Sequence, residues 1–312
     1  MGIIASLMER TSPPDVSVVL PVHNERDHVA AEVDRIQRAL DSSPHSYEIV
    51  AVDDASTDGS AAVLQGLPGI RLIELPRAGG SGSARKIGTR AARGRVIVWT
   101  DADMTYPNDR IPWLVRELEG FDQVVGARDA EHGPAKRLRT VTKWAARRLA
   151  SYLTETEIPD LNSGMRAFRR EVGMQYIHLL PKGFSCVTTL TMTFLANGYS
   201  VNYVPIAYAP RAGRSKFHWW HDTRRYLLQI LRIVLMYNPI KVFMPIGLAL
   251  VAIGVAKLGF DIVDKDFRVA TNTLVIMLAA ISVLVIGLLA DLMVQLNRSR
   301  DEAEPAWRET TT

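Results

Sequence analysis

From Ile240 to Phe260 the chain is almost uniformly apolar, and Leu274 to Ala290 is so again. Each run approaches the roughly 20 residues that a helix needs to cross the hydrocarbon core of a bilayer. Joined only by Asp261 to Asn272, two such stretches would have too little amphipathic structure around them to be shielded in water. The sequence therefore predicts two transmembrane helices, at 240–260 and 273–292, inside a membrane segment 238–297 with a tail at 298–312. Lys257 and Asp291 fall near the ends of the spans, where a long side chain can reach the interface.

Flanking charge gives an orientation. Arg211, Arg214, Lys216, Arg224, Arg225, Arg232 and Lys241 precede the first span, and Arg298 and Arg300 follow the second. In the connecting loop, Lys265 and Arg268 are offset by Asp261, Asp264 and Asp266. By the positive-inside rule both termini, and everything before the first span, face the cytoplasm. The segment 211–237, with Phe217-His218-Trp219-Trp220-His221 followed by interleaved arginines and aliphatics, has the make-up of an amphipathic helix lying among lipid headgroups. The run Gly2 to Met8 is too short for a signal peptide, and its loose match to a myristoylation pattern is discounted.

Net charge matters less than its placement: 37 Lys+Arg against 33 Asp+Glu leaves +4, which is no argument for nucleic acid as a partner. One cysteine, Cys186, excludes an internal disulfide framework and a Cys-rich zinc site. It reads as a small buried hydrophobe and is given no role. The histidines show no metal-ligand spacing, so zinc is not expected.

The first 210 residues carry a different pattern. Val16 to Val22 (VSVVLPV) is a β-branched run, followed by a helical stripe Val29, Val33, Ile36, Gln37 and Leu40 and then by the strand Tyr47 to Val52. Ile70 to Leu75, a glycine-rich turn at Ala78 to Gly82, a helix through Ala92 and the strand Arg95 to Thr100 continue the alternation. Such βαβ repetition predicts an α/β domain at 1–210: a mostly parallel sheet covered by helices, with ligands bound off the carboxyl ends of the strands. Beyond Val124-Val125-Gly126-Ala127-Arg128, the basic run Lys136, Arg137, Arg139, Lys143, Arg147 and Arg148 admits two readings, a solvated helix face or an anion-binding surface.

Polar clusters stand at the ends of three of these strands. Of these, Asp101-Ala102-Asp103 places two carboxylates one residue apart after a hydrophobic strand. That is a hard oxygen site suited to Mg²⁺ or Mn²⁺, which would bridge pyrophosphate oxygens and neutralise a leaving nucleoside diphosphate.

In order and rough spacing, VSVVLPVHNE, VDDASTDGS, WTDADMTYP and DLNSGMRAFRR resemble glycosyltransferase family 2 with its GT-A, Rossmann-like nucleotide-sugar-binding fold. With VPIAYAPRAGRSKF and two spans behind them, the chain is most similar to polyprenyl-phosphate (dolichyl- or undecaprenyl-phosphate) glycosyltransferases of the dolichol-phosphate-mannose-synthase type, over roughly Val16 to Leu296. The resemblance implies that Pro21, His23 and Glu25 grip the nucleotide base, Asp54 contacts base or ribose, and Asp101, Ala102 and Asp103 form the metal and diphosphate motif. It further implies that Arg128 holds the acceptor phosphate with Arg139 or Lys143, and that Asp160, Ser163, Gly164 and Arg166 belong to the loop near the transferred sugar. Arg211, Arg214, Ser215 and Lys216 would lead to the membrane and help hold the acceptor. The chain departs from the family at His23, in place of Tyr; at Ser81, in place of Lys; and at Thr105, in place of the Gln that the mannose synthases supply to the metal.

A polyprenyl phosphate is already ionised near neutral pH, so its oxygen needs holding in line by cations rather than a strong base. Arginine suits that task, because its planar fork binds phosphate and leaves an oxygen to attack. The expected activity is inverting transfer of a single hexose, glucose, mannose or a related sugar, from a UDP- or GDP-sugar. Asp103, Arg128 and Asp160 are the candidate catalytic residues; Asp160 serves equally well as a loop cap. Three other readings stand beside it: a processive polysaccharide synthase, which needs more spans and a Gln-x-x-Arg-Trp type motif; a non-catalytic membrane scaffold; and transfer to a soluble acceptor. A homo-oligomer stays open.

Overall fold

The structure is a computed structural model, and it describes residues 12–128, 148, 151, 156–183, 185–209, 231, 235, 238–264 and 269–303. The chain forms two compact units, Met1–Gln229 and Ile230–Thr312.

In the first unit, strand β1 (Val16–Val22) is buried along its length except at Pro21. Helix α1 (Arg26–Asp41) follows, and turns Val29, Val33, Ile36 and Leu40 to the sheet. Then come β2 (Tyr47–Asp53), α2 (Ser60–Gln65), β3 (Ile70–Glu74), α3 (Ser81–Ala91) and β4 (Val96–Trp99). After the short helix α4 (Ile111–Arg116), β5 (Gln123–Arg128), β6 (Arg166–Arg169), α5 (Arg170–Tyr176), α6 (Cys186–Ala196) and β7 (Val201–Ile206) complete the unit. The expected strands and helices of the first hundred residues all form, with ends displaced by a residue or so.

The seven strands lie in the order β3-β2-β1-β4-β6-β5-β7. Pairing is parallel from β3 through β4 and again between β5 and β7, whereas β6 runs antiparallel to both β4 and β5. Continuous apolar runs in β1, β2 and β4 follow from burial on both faces of a parallel sheet. One core cluster packs α1 and α4 on one face; the other, around Trp99, Phe168, Leu190 and Phe194, packs α5 and α6 on the opposite face. Trp99 and Phe168 meet edge to face at 5.2 Å, and the buried indole N–H donates to Thr89 Oγ1 at 2.9 Å.

Strand order reverses at β1, since the chain moves out through β2 and β3 and returns to β4 on the other side. The crevice off the carboxyl ends of β1 and β4 is therefore where an open α/β sheet receives its ligand.

The second unit contains helices α7 (Ile240–Asp264) and α8 (Thr271–Ala303), which pack against each other. Both run past the expected span ends, to Asp264 and to Ala303, because helical backbone hydrogen bonding does not stop where the apolar stretch does. The segments Ile240–Val263 and Thr271–Leu296 are long and apolar enough to cross a membrane. Leu248, Ile253, Leu278 and Met293 are more than half exposed on the hairpin's outer sides, whereas Asp261 is buried, accepting from Ala270 N at 3.1 Å and from the Thr273 hydroxyl.

Candidate active site

Three non-glycine residues have left-handed backbones, Asn24 (φ 57°), Ala55 (φ 54°) and Met104 (φ 61°). They lie just past β1, β2 and β4 respectively, at the carboxyl ends that form the crevice. Such strain persists only where surrounding contacts over-determine it, and it gathers at functional sites. Here the loops brace one another. Asn24 N donates to Ser56 Oγ (3.0 Å), Thr57 N to Asn24 Oδ1 (2.8 Å), Glu25 N to Ser60 Oγ (2.9 Å) and Arg26 N to Asp58 Oδ2 (3.0 Å). The acidic loop after β2 thus supplies acceptors for the first amides of α1.

Asp54 is buried and turns both carboxylate oxygens to the glycine-rich loop, accepting from Gly79 N at 2.6 Å and Gly80 N at 2.8 Å. His23 Nδ1 lies 2.7 Å from the Asp54 carbonyl. A carbonyl can only accept, so this geometry fixes the proton on Nδ1 and leaves Nε2 to accept. Pro21, the half-buried next-to-last residue of β1, precedes His23 by two residues in the chain.

Asp101 is held by Arg85, whose Nη2 donates to Asp101 Oδ1 at 2.5 Å. Arg85 is almost wholly enclosed; it lies over the Trp99 ring at 5.7 Å and its Nη1 is 3.8 Å from Cys186 Sγ. Burial works against its charge, but the Asp101 carboxylate more than restores it, so the guanidinium keeps its proton more firmly than usual. Gly164 fits into this contact only because it lacks a side chain: a Cβ there would stand 2.8 Å from Asp101 Oδ2 and 3.1 Å from Arg85 Nη2. Its N–H donates to Tyr106 Oη at 2.7 Å. Asp103 accepts from Thr105 Oγ1 at 2.5 Å, so the threonine at the family's Gln position orients the carboxylate. Ala102 between them is buried.

Arg128, at the end of β5, makes a two-pronged ion pair with Asp160: Nε to Oδ2 is 2.7 Å and Nη2 to Oδ1 is 3.1 Å. Burial would raise the Asp160 pKa, but hydrogen bonds and charge from Arg128, with the Asn162 amide, outweigh it and hold the carboxyl below its usual range. Arg128 also lies 5.2 Å over the Tyr208 ring, and Tyr208 meets Tyr106 edge to face at 5.1 Å. Tyr106 therefore joins the Asp101 side of the crevice to the Arg128 side. Burial pushes its phenol far above the ordinary range, so it stays a neutral hydrogen-bonding group.

Arg166 does not line the crevice. It is fully enclosed, donating to Val187 O at 2.6 Å, to Thr191 Oγ1 at 2.8 Å and to the Ser163 carbonyl. Burial, with the nearby charge of Arg85, lowers its pKa to about 10. Arg139, Lys143, Arg211, Ser215 and Lys216, and nearly all of the basic and juxtamembrane segments, lie outside the described residues. Sequence reasoning misses Arg85, Tyr106 and Tyr208 as site residues: Arg85 stands in no motif, and the two tyrosines lie within motif segments that do not tell which of their side chains meet.

Two carboxylates on one turn, with no group of three or more His, Cys, Asp or Glu set to hold a metal among the described residues, fit a Mg²⁺-like ion. Such an ion takes one or two protein carboxylates and completes its shell with water and substrate phosphates. Asp101 and Asp103 would hold it.

A GT-A sheet with acidic turns at its switch point and a Gly-rich loop beside them defines a nucleotide-sugar transferase fold. The chain belongs to glycosyl transferase family 2, whose match covers residues 17–176, and residues 238–296 match the GtrB C-terminal hairpin. It is 27% identical over 310 residues to the dodecaprenyl-phosphate galacturonate synthase of Rhizobium johnstonii, covering 93% of this chain and 90% of that one. Against the dolichyl-phosphate hexose transferase of Haloferax volcanii it is 33% identical over 206 residues, 65% of this chain and 86% of the relative. An undecaprenyl-phosphate 4-deoxy-4-formamido-L-arabinose transferase of Pseudomonas fluorescens is 31% identical, covering 77% of this chain and 70% of the relative. The homologues are thus polyprenyl-phosphate sugar transferases. Among solved structures, Mycobacterium tuberculosis glucosyl-3-phosphoglycerate synthase with Mn²⁺, UDP-glucose and phosphoglyceric acid superposes with a TM-score of 0.57 at 23% identity, covering 74% of this chain and 83% of that one; at that identity the likeness concerns the fold.

Proposed function

We propose that the chain transfers a single hexose from a UDP- or GDP-sugar to polyprenyl phosphate, with inversion, on the cytoplasmic leaflet. The observation that carries this reading is the joining, in one chain, of a family 2 domain holding the Asp101–Asp103 turn and a hairpin long and apolar enough to span a bilayer. A lipid acceptor explains the second element, which a soluble acceptor would not need. The names of the relatives support the acceptor class, and the Mn²⁺ and UDP-glucose in the structural neighbour support the metal and the donor class.

In this reading Asp101 and Asp103 hold Mg²⁺ or Mn²⁺, which when bound supplies positive charge to the leaving diphosphate. Arg85 holds Asp101 in place through its Nη2. His23 offers its Nε2 acceptor, and Pro21 and Glu25 their loop, to the nucleotide base. Asp54 acts through the backbone it holds, shaping the glycine turn beside the nucleotide. Arg128 takes the acceptor phosphate, with Arg139, Lys143, Arg211, Ser215 and Lys216 as further binding groups. Asp160 keeps the Arg128 fork aligned while unloaded, and gives way as the lipid phosphate arrives.

The test is a panel of labelled nucleotide sugars offered with polyprenyl phosphate in liposomes and divalent ions, read as label in the lipid phase. The wild type should label lipid from at least one donor and Asp103→Ala should not. Lipid labelling by no donor at all would overturn the function; full activity in Asp103→Ala would overturn the metal site.

A further inference from the structure

Below the crevice lies a buried polar group that the proposed chemistry does not use. Glu32 on α1, Asn108 and Thr100 are all fully enclosed. Asn108 Nδ2 donates to Glu32 Oε1 at 2.5 Å and to the Asp101 carbonyl at 3.3 Å, while its Oδ1 accepts from the Thr100 hydroxyl. A single amide therefore ties α1 to the residue before the Asp101–Thr105 turn, to the first residue of that turn, and to the chain beyond it. One helical turn further along α1, Arg35 donates to the Tyr106 carbonyl at 3.3 Å and pairs with Asp109.

The tied segment contains Met104, whose left-handed backbone an unbranched L-residue adopts only at a cost. Glu32 carries a cost too, since its Oε2 is buried with no hydrogen-bond partner. An apolar side chain would pack α1 against this segment without that loss. What the carboxylate supplies, and an apolar group cannot, is an acceptor that fixes the Asn108 amide.

We infer that Glu32 and Asn108 are positioning residues: the pair holds the strained Asp101–Thr105 turn in the conformation that carries the two acidic ligands. The inference rests on the reading of Asp101 and Asp103 as the metal turn, but the turn's rigidity can be measured without it. Outer partners of this kind orient ligands and change metal affinity without touching the ion.

The full-length chain in detergent is compared with Asn108→Ala, Glu32→Gln, and Asn108→Ala combined with Met104→Gly. Amide hydrogen exchange over residues 101–107, with no substrate, should be about 10-fold or more faster in Asn108→Ala. Glu32→Gln keeps a carbonyl acceptor for Asn108 and should stay near the wild type. Mn²⁺ affinity, followed by electron paramagnetic resonance with UDP and separately with GDP, should weaken about 10-fold in Asn108→Ala. Met104→Gly should restore much of it, because glycine adopts the left-handed turn without strain. If Asn108→Ala lowers the thermal midpoint yet leaves exchange at 101–107 and Mn²⁺ affinity as in the wild type, the pair is packing alone and the inference falls. Should the wild type hold Mn²⁺ with neither nucleotide, the metal reading falls, and the exchange result by itself upholds or overturns the brace.

Discussion

The ion pair of Arg128 and Asp160 shows how a buried charge is kept. Arg128 and Asp160 are only 14% and 12% exposed and face each other, so each offsets much of the cost of burying the other's charge. Asp160 has its carboxyl held below the usual range, in spite of burial, by Arg128 and backbone amides. Its folded pKa is therefore lower than its unfolded one, near about 3.9, and the stability it contributes is complete above the unfolded value. That contribution is lost as pH falls through the folded value. Asp160→Asn should destabilise the catalytic unit by about 1–3 kcal/mol at pH 7, because it removes the carboxylate charge that Arg128 Nε and Nη2 bind. The gap between wild type and variant in thermal midpoint should narrow as pH drops from 7 towards 3. An unchanging gap across that range would show that Asp160 does not act through its charge. Arg166 is the contrasting case: fully enclosed, it relies on two carbonyls and a hydroxyl, and its pKa falls to about 10.

Among the elements, α7 and α8 depend on close approach. A Cβ at Gly287 would lie 2.5 Å from Phe243 Cβ, an atom next to the backbone that cannot swing aside. Gly287→Val should therefore push the hairpin helices apart, at a cost of about 1–3 kcal/mol, read as a lower midpoint of helix loss in detergent with the catalytic unit's transition unmoved. An unchanged midpoint would refute the contact. The glycine's role could not be read from an apolar run in which every residue looks alike, although the run itself was plain. The same division holds in the first unit. Strands β1, β2 and β4 were legible because burial on both faces demands unbroken apolar runs, and the acidic clusters because they stop those runs. Strand β6 was not: Arg166–Arg169 is only four residues with an arginine at each end, and its antiparallel place between β4 and β5 follows from partners far along the chain. Likewise Glu32 meets Asn108 across 76 residues, and Arg85 meets Asp101 from a different element, so neither leaves a local motif.

At the scale of the whole molecule, the two units answer to different solvents. The catalytic unit buries its aromatic and aliphatic side chains in two layers about one sheet, whereas the hairpin exposes Leu278, Met293 and Val263 at 67%, 67% and 86%. In water such faces would associate; in lipid they need no further cover. Charge then decides which way the hairpin is threaded, with the excess of Lys and Arg outside the loop between the spans. The single cysteine makes this testable, since Cys186 is buried and can be replaced by Ser to give a thiol-free chain. On that background, Asp266→Cys should react in intact cells with a membrane-impermeant thiol reagent added outside, and Ser299→Cys only after the cells are opened. Labelling of Ser299→Cys in intact cells, with Asp266→Cys protected, would place the tail, and with it the nucleotide-sugar site, on the side of the membrane opposite to the one proposed.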